Sequence, residues 1–315
     1  MEEGRPAIEV HGLTRRFYLA NVLAKVDFTV GRGQVCGLIG ANGAGKTTLL
    51  RILATLLLPT AGRAQVAGFD VRTGAVEVRK RIGYMPDTFG AFDDLRADSY
   101  LEFFARIYRL PAEETPRILE DILRLVDLVH LRSTPVSQLS LGSRQRLSLG
   151  RVLIHDPEVL LLDEPVSGLD PVARVEVREL LRELGRMGKT VLVSSHALAD
   201  LAELVTRVVV LEKGETVFAG TLEELKRTVM PERVLELEVE GDPEKAGQFL
   251  LAQLGVSGVR AEGSGRLLVS LRDGELSAGA VSRLLFGAGF GLRRLLEREP
   301  DLEEAFLRIT RRERP

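Results

Sequence analysis

The stretch GANGAGKTT, Gly40 to Thr48, constrains what this chain can fold into more than any other. It satisfies the pattern G-x-x-x-x-G-K-[ST] through Gly40, Gly45, Lys46 and Thr47. It also stands where the pattern has physical meaning, behind the apolar run QVCGLIG and ahead of the helical run KTTLLRILATLL. Glycines let such a loop curl until successive N–H groups, here Gly43 to Thr48, face a β-phosphate. A lysine in the place of Lys46 reaches the β and γ oxygens, and a hydroxyl in the place of Thr47 ligates magnesium.

Strand-like and helical runs alternate around this loop. EVLLLDEP precedes PVARVEVRELLRELGRMG, and KTVLVSS precedes a helical reading of HALADLAELV. That alternation predicts an α/β fold with a parallel sheet covered by helices. Between Asp87 and Leu139 the strand signal vanishes and two runs at helical spacing appear, RADSYLEFFARIYRL and ETPRILEDILRLVDLV, predicting a helical insertion over about residues 87–150. RVVVLEKGETVFAG reads as a hairpin turned by Lys213 and Gly214, after which Thr221 and Glu224 form a capping box for one more helix. A first domain over residues 1–230 is expected, followed by a small α+β domain over 231–315 of ferredoxin-like pattern and without a chemical motif.

At 315 residues two domains are expected, because single cores stop growing at roughly 250 to 300 residues. Balanced charge, 43 basic against 45 acidic residues, leaves no global field to recruit nucleic acid or an anionic membrane. The single cysteine, Cys36, lies in an apolar run and excludes a disulfide framework, which fits a reducing compartment. No window reaches the ~18 to 20 apolar residues of a membrane helix.

Two adjacent carboxylates, Asp163 and Glu164, end the apolar run VLLLDEP, and strand carboxyl ends are where open α/β sheets bind ligands. Asp163 suits magnesium, and Glu164 suits a general base that polarises water attacking a γ-phosphate. Asp170 before Pro171 also makes a good helix N-cap. The segment QLSLGSRQRLSLGR is a Ser/Gly turn running into a basic helix, the form of an anion-binding helix N-terminus.

The phosphate loop, then LSLGSRQR, then VLLLDEPVSGLD, then SSH closely resemble the nucleotide-binding subunit of ABC transporters, a P-loop NTPase class, over about residues 7–220. The resemblance implies an ATPase whose ATP ligands are Phe17 stacked on adenine, with Tyr18 a neighbouring candidate, then Asn42, Gly43, Ala44, Gly45, Lys46, Thr47 and Thr48. It makes Thr47, Asp163 and Asp87 the magnesium ligands and Glu164 and His196 the catalytic pair. His11, His130 and His155 lack such context. Ser167, Gly168, Leu169 and Asp170 match the loop that lies against the opposite subunit. Ser140 and Gly142 would face the γ-phosphate held by the other subunit, so ATP would close a homodimer or a heterodimer. Leu141 and Ser143 depart from the common L-S-G-G-Q, while Gln145 and Arg146 are kept.

Asp87, in GYMPDTFG, stands where the family has glutamine, bringing an extra charge to the magnesium site; a plain surface-loop aspartate is the alternative. Nearby, Phe89, Phe92, Tyr100, Phe103, Phe104 and Tyr108 are expected mostly as core of the insertion, in the region that receives a helix of the membrane partner. The ending REPDLEEAFLRIT is similar to the extension of exporter ATPases of the ABC-2 type. The resulting expectation is an exporter ATPase driving a separately encoded ABC-2 type permease from the cytoplasmic face, with no nucleic acid partner. A non-transport ABC ATPase acting on ribosome or DNA is the alternative.

Overall fold

Apolar runs without alternation belong to strands buried on both faces. Val35–Ile39, Val159–Leu162 and Thr190–Ser195 are buried at every position. The computed structural model describes residues 5–18, 20–88, 94–229, 233–263, 265–272 and 276–298. The chain divides into two units, Met1–Leu222 and Glu223–Pro315.

In chain order the first unit comprises β1 (Ile8–Phe17), β2 (Ala20–Val30), β3 (Val35–Ile39), α1 (Lys46–Leu53), β4 (Ala61–Val66), β5 (Phe69–Asp70), α2 (Ala75–Arg81) and β6 (Ile82–Met85). The helices α3 (Ala97–Ile107), α4 (Thr115–Leu125) and α5 (Leu141–Leu153) follow. The unit closes with β7 (Val159–Leu162), α6 (Pro171–Arg186), β8 (Thr190–Ser195), β9 (Arg207–Glu212) and β10 (Glu215–Thr221). One sheet has the order β2-β1-β4-β5 and is antiparallel. The other has the order β10-β9-β3-β8-β7-β6 and is parallel except for the β9–β10 hairpin at its edge.

Helices α3, α4 and α5 separate β6 from β7, where the strand signal of the sequence lapses. Tyr100 is fully buried in α3, whereas Phe103 and Tyr108 are exposed; Phe89 and Phe92 lie outside the described residues. The run HALADLAELV is not the helix its periodicity suggests. It makes a 3-10 turn at Leu198–Asp200 followed by turns, which already buries Leu198, Leu201, Leu204 and Val205. Ser195 Oγ ties its start by accepting from Ala197 N at 3.1 Å and donating to Ala197 O at 3.0 Å. A side-chain hydroxyl competing for backbone groups in this way favours a turn over a helix.

The second unit contains α7 (Leu222–Val229) except its first residue, β11 (Arg233–Glu240), α8 (Pro243–Leu251), β12 (Val256–Ala261), β13 (Arg266–Leu271), α9 (Ala278–Gly287) and β14 (Gly291–Arg298). Its antiparallel sheet runs β12-β13-β11-β14, the split βαβ arrangement of ferredoxin-like folds. Leu235, Leu237 and Val239 of β11 alternate inward against Ala246 and Leu250 of α8 and Val281 and Leu285 of α9. The segment DLEEAFLRIT lies outside the described residues.

The hairpin turn at Lys213 and Gly214 has φ of 48° and 83°, the left-handed pair that joins twisted strands. It is more than a connection. Gly214 N donates to Ala44 O at 3.1 Å, and Gly214 O accepts from Ala24 N at 2.8 Å. A Cβ on Gly214 would run into the carbonyl oxygen of Val22. Gly214→Ala is therefore expected to destabilise the first unit by about 2 kcal/mol, since the left-handed region alone costs an L-residue roughly 1–2 kcal/mol. A urea midpoint equal to that of the parent would refute this.

Candidate active site

Four parallel strands end in one row. Ile39 pairs with Ser195, Leu162 with Val193 and Met85 with Leu162. The residues that follow these ends, Gly40, Asp163, His196 and, one residue further, Asp87, therefore leave the sheet from the same edge.

The loop after β3 is shaped by close approach. A Cβ on Gly45 would lie 2.6 Å from Leu23 Cδ2 and 2.9 Å from Val22 O, and one on Gly40 would lie 2.5 Å from Leu211 O. Gly43 and Gly45 have φ of 81° and 106°. Gly45 caps α1 without a side-chain hydrogen bond, and no acidic residue sits in the first turn of that helix. The donors of its first turn are thus left to an anion. By contrast α6 is closed by Asp170, whose Oδ1 accepts from Val172 N and Ala173 N at 3.0 Å each. Asn42 and Gly43 are exposed, Ala44 is buried, and Thr47 and Thr48 are half-buried.

The side chain of Lys46 is 6% exposed and folds back along its own loop. Its Nζ donates to Gly40 O at 2.6 Å and Ala41 O at 3.4 Å, and lies 3.3 Å from Glu164 Oε1. The other carboxylate oxygen of Glu164, Oε2, is 2.9 Å from His196 Nδ1, and an ionised carboxylate there requires the ring proton on that nitrogen. Glu164 is itself in the left-handed region at φ 50°, a strained backbone that turns it away from the strand direction. Its amide donates to Ser194 Oγ at 2.8 Å, and its carbonyl accepts from Ser167 N at 3.1 Å.

Asp163 is 1% exposed. Its Oδ1 accepts from Ser194 Oγ at 2.8 Å, while Oδ2 is buried with no hydrogen-bond partner. Burial pushes this carboxyl above the usual carboxylate range; Ser194 and the Thr47 hydroxyl pull it down, and the charges of Asp87 and Glu164 push it up again. Asp87, itself exposed, is therefore close enough to act on Asp163 through its field. The arrangement gathers an ammonium, two carboxylates, two hydroxyls, an imidazole and an uncapped helix N-terminus, which suits a magnesium-bound polyphosphate.

Other residues singled out in the sequence lie elsewhere in the network. Ser140 caps α5: its Oγ accepts from Ser143 N at 3.1 Å and donates to Ser143 Oγ at 3.0 Å. Gly142 is buried against α6, where a Cβ would come within 2.7 Å of Ala173 Cβ. Among the described residues no hydrogen bond or ion pair joins either to Lys46, Asp163, Glu164 or His196. Phe17 ends β1, 39% exposed, with the Arg15 guanidinium 4.4 Å from its ring centre, and Tyr18 is almost fully exposed. Two contributors escaped the sequence reading. Ser194, visible only as the first serine of SSH, bridges Asp163 to the Glu164 amide. Gly214 holds the phosphate loop through Ala44, and the turn at Lys213 and Gly214 said nothing of that partner in the sequence.

The family model described as ABC transporter matches residues 23–167. The chain is 38% identical over 307 residues to the daunorubicin resistance ATP-binding protein DrrA3 of Streptomyces coeruleorubidus, covering 96% of each. It is 37% identical over 310 residues to the Nod factor export ATP-binding protein I of Ralstonia nicotianae, covering 98% of this chain and 95% of the relative. A solved ATP-binding subunit of an ABC transporter superposes with a TM-score of 0.64 at 30% identity, over 70% of this chain and 92% of that one. A dimeric ATP-binding cassette in a post-hydrolysis state with ADP and Pi superposes with a TM-score of 0.62 at 25% identity, over 68% and 98%. With its phosphate loop, paired carboxylates and strand-end histidine on one sheet edge, the chain belongs to the ABC transporter family, as an ATP-binding, ATP-hydrolysing subunit.

Proposed function

We propose that Glu164 is the general base of ATP hydrolysis, that Lys46 is its phosphate ligand, and that a second copy or a homologous subunit completes the site with Ser140 and Gly142. The observation that carries this reading is the setting of Glu164, one oxygen on Lys46 at 3.3 Å and the other on His196 at 2.9 Å. A triphosphate attracts the ammonium more strongly than one carboxylate does. Once Lys46 turns to the phosphates, Oε1 is free to accept a proton while His196 steadies Oε2. The attacking water gives that proton to Glu164, its oxygen bonds to the γ-phosphorus, and the bond to the departing ADP oxygen breaks.

The residues present fit magnesium. The buried Oδ2 of Asp163 has no protein partner, and burial has made its charge costly, so a cation there relieves both conditions. Asp163, Thr47 and Asp87 would hold the ion, which supplies neutralisation of the charge that builds on the phosphate oxygens. Phe17 would stack on adenine by exchanging Arg15 for the base.

Ser140 and Gly142 stand apart from the cluster in their own chain, which supports their use in trans. ATP then closes two copies and hydrolysis reopens them, a shift between two states biased by the γ-phosphate. The partner moved by this cycle is a separately encoded permease of the ABC-2 type. Phe103 and Ile107, exposed on α3, and Tyr108 at its C-terminal end, one face stacked on His155, are the docking surface, while Tyr100 is core. Among the described residues no helix is long and apolar enough to cross a membrane. The subunit acts at the cytoplasmic face, held there by the permease. Export is the direction named for the Ralstonia relative, which aligns along nearly the whole chain.

Three measurements test the reading. Glu164→Gln should keep ATP binding and lose turnover by about a hundredfold or more, as removal of a general base does; parental turnover in that variant ends the assignment. Mixing Lys46→Ala chains with Ser140→Arg chains should recover hydrolysis above either alone, since a mixed dimer holds one intact composite site. Labelled subunits must show that mixed dimers exist, and mixed dimers without added activity would refute the trans role. The third test concerns stability. A folded-state pKa raised by burial means that ionised Asp163 costs stability above that pKa, a cost that disappears as pH falls through it. Asp163→Asn should therefore raise the nucleotide-free Tm at pH 7 by about 2–4 °C, the scale of roughly 1 kcal/mol. The gap should narrow toward acid pH, and magnesium-dependent hydrolysis should be lost. A lower Tm at pH 7 would contradict the burial argument.

A further inference from the structure

Arg174, in the first turn of α6, reaches in two directions. Its Nη2 donates to Leu169 O at 3.2 Å, within the Ser167–Asp170 loop, and its Nη1 lies 3.2 Å from Asp200 Oδ1, in the 3-10 turn that follows His196. The two loops held by this one planar cation carry the reacting groups at their other ends. One leaves β7 through Glu164, and the other leaves β8 through His196. They meet again where His196 Nδ1 stands 2.9 Å from Glu164 Oε2. The contacts therefore close a ring: Glu164, the Ser167–Asp170 backbone, Arg174, Asp200, His196 and back to Glu164.

Anchoring α6 does not explain the bond to Leu169. Asp170 already caps that helix through two amides, and Arg174 N bonds to Asp170 O at 3.0 Å within it. Asp200, the other end of the bridge, has 17% of its side chain exposed and Arg174 has 39%, so the pair is shielded on the carboxylate side and partly open on the other. In a closed ring the Ser167–Asp170 backbone cannot shift without moving Arg174 and, through Asp200, the segment that holds His196, unless one link breaks.

We propose that Arg174 is a positioning residue: by tying the Ser167–Asp170 backbone to Asp200 it holds His196 in alignment on Glu164. The proposal rests on the reading of Glu164 as the base.

The test uses the full chain with ATP and magnesium, comparing Arg174→Ala, Arg174→Lys, Asp200→Asn and the Arg174→Ala/Asp200→Asn double variant. Each single variant should lower kcat by about tenfold with the KM for ATP changed less than about twofold, the pattern of a contact used in the transition state rather than in binding. The double variant should be no slower than the slower single, because both changes break the same link. Arg174→Lys should stay close to Arg174→Ala, since an ammonium cannot bridge a carbonyl and a carboxylate as the planar fork does. Parental kcat in Arg174→Ala and Asp200→Asn overturns the proposal, as does a rise in KM at constant kcat, or losses that multiply in the double variant. Asp200→Asn keeps the shape of its parent and decides the matter if Arg174→Ala folds poorly. Glu164→Gln assayed in the same series keeps the two readings apart: its retained turnover overturns the base, whereas the Arg174 and Asp200 cycle overturns only the link.

Discussion

Everything at this site depends on how closely three backbones approach one another. Gly40 lies against Leu211 O, Gly45 against Leu23 and Val22 O, and the Gly214 amide on Ala44 O, so the phosphate loop is clamped between β2 and the β9–β10 hairpin at points where a Cβ on Gly40, Gly45 or Gly214 does not fit. Rigidity of this kind matters because a loop that offers backbone N–H groups to an anion works by having them aimed beforehand. Glycine is usually credited with freedom; here its missing side chain permits contact, and the contact removes the freedom.

On that frame the charged groups hold one another, save for one oxygen of Asp163. Lys46 is nearly buried, and its ammonium leans on two carbonyls and one carboxylate. Asp163 keeps one oxygen without a partner and carries a charge that burial opposes. Glu164 occupies a strained backbone conformation with both oxygens engaged. Stability is given up at Asp163, through its buried charge, and at Glu164, through its backbone, as is common where a protein must bind something more strongly than it binds itself.

What the sequence made legible were the parts whose chemistry is local. The loop Gly40–Thr48, the Asp163–Glu164 pair and His196 each follow an apolar run, and adjacency in the chain became adjacency on the sheet because parallel strands align their carboxyl ends. The parts missed are those made by distant partners. Ser194 bridging Asp163 to the Glu164 amide needs the pairing of β7 with β8, and no pattern within either strand announces it. The turn at Gly214 was readable as a turn, but its hold on Ala44 was not. HALADLAELV has helical spacing, yet four apolar side chains reached the core from a shorter, tighter path, and tertiary burial overrode periodicity. Ser140 was read as a donor to a phosphate, and in this chain its hydroxyl bonds within its own turn to Ser143, a residue at which the chain departs from its family.

The placement of β3 has a consequence for how the chain is made. This strand lies between β8 and β9, and the loop that follows it is held by the turn at Gly214. A ribosome releases β3 and its glycine loop early, while both neighbouring strands and the hairpin side of the clamp come from residues 190–221. Until then β3 presents two unpaired apolar edges, the condition under which nascent chains aggregate or recruit chaperones. Contacts spanning so much of the sequence raise the contact order and slow the final pairing. The phosphate loop is thus among the first parts of the molecule to be synthesised and among the last to take its shape.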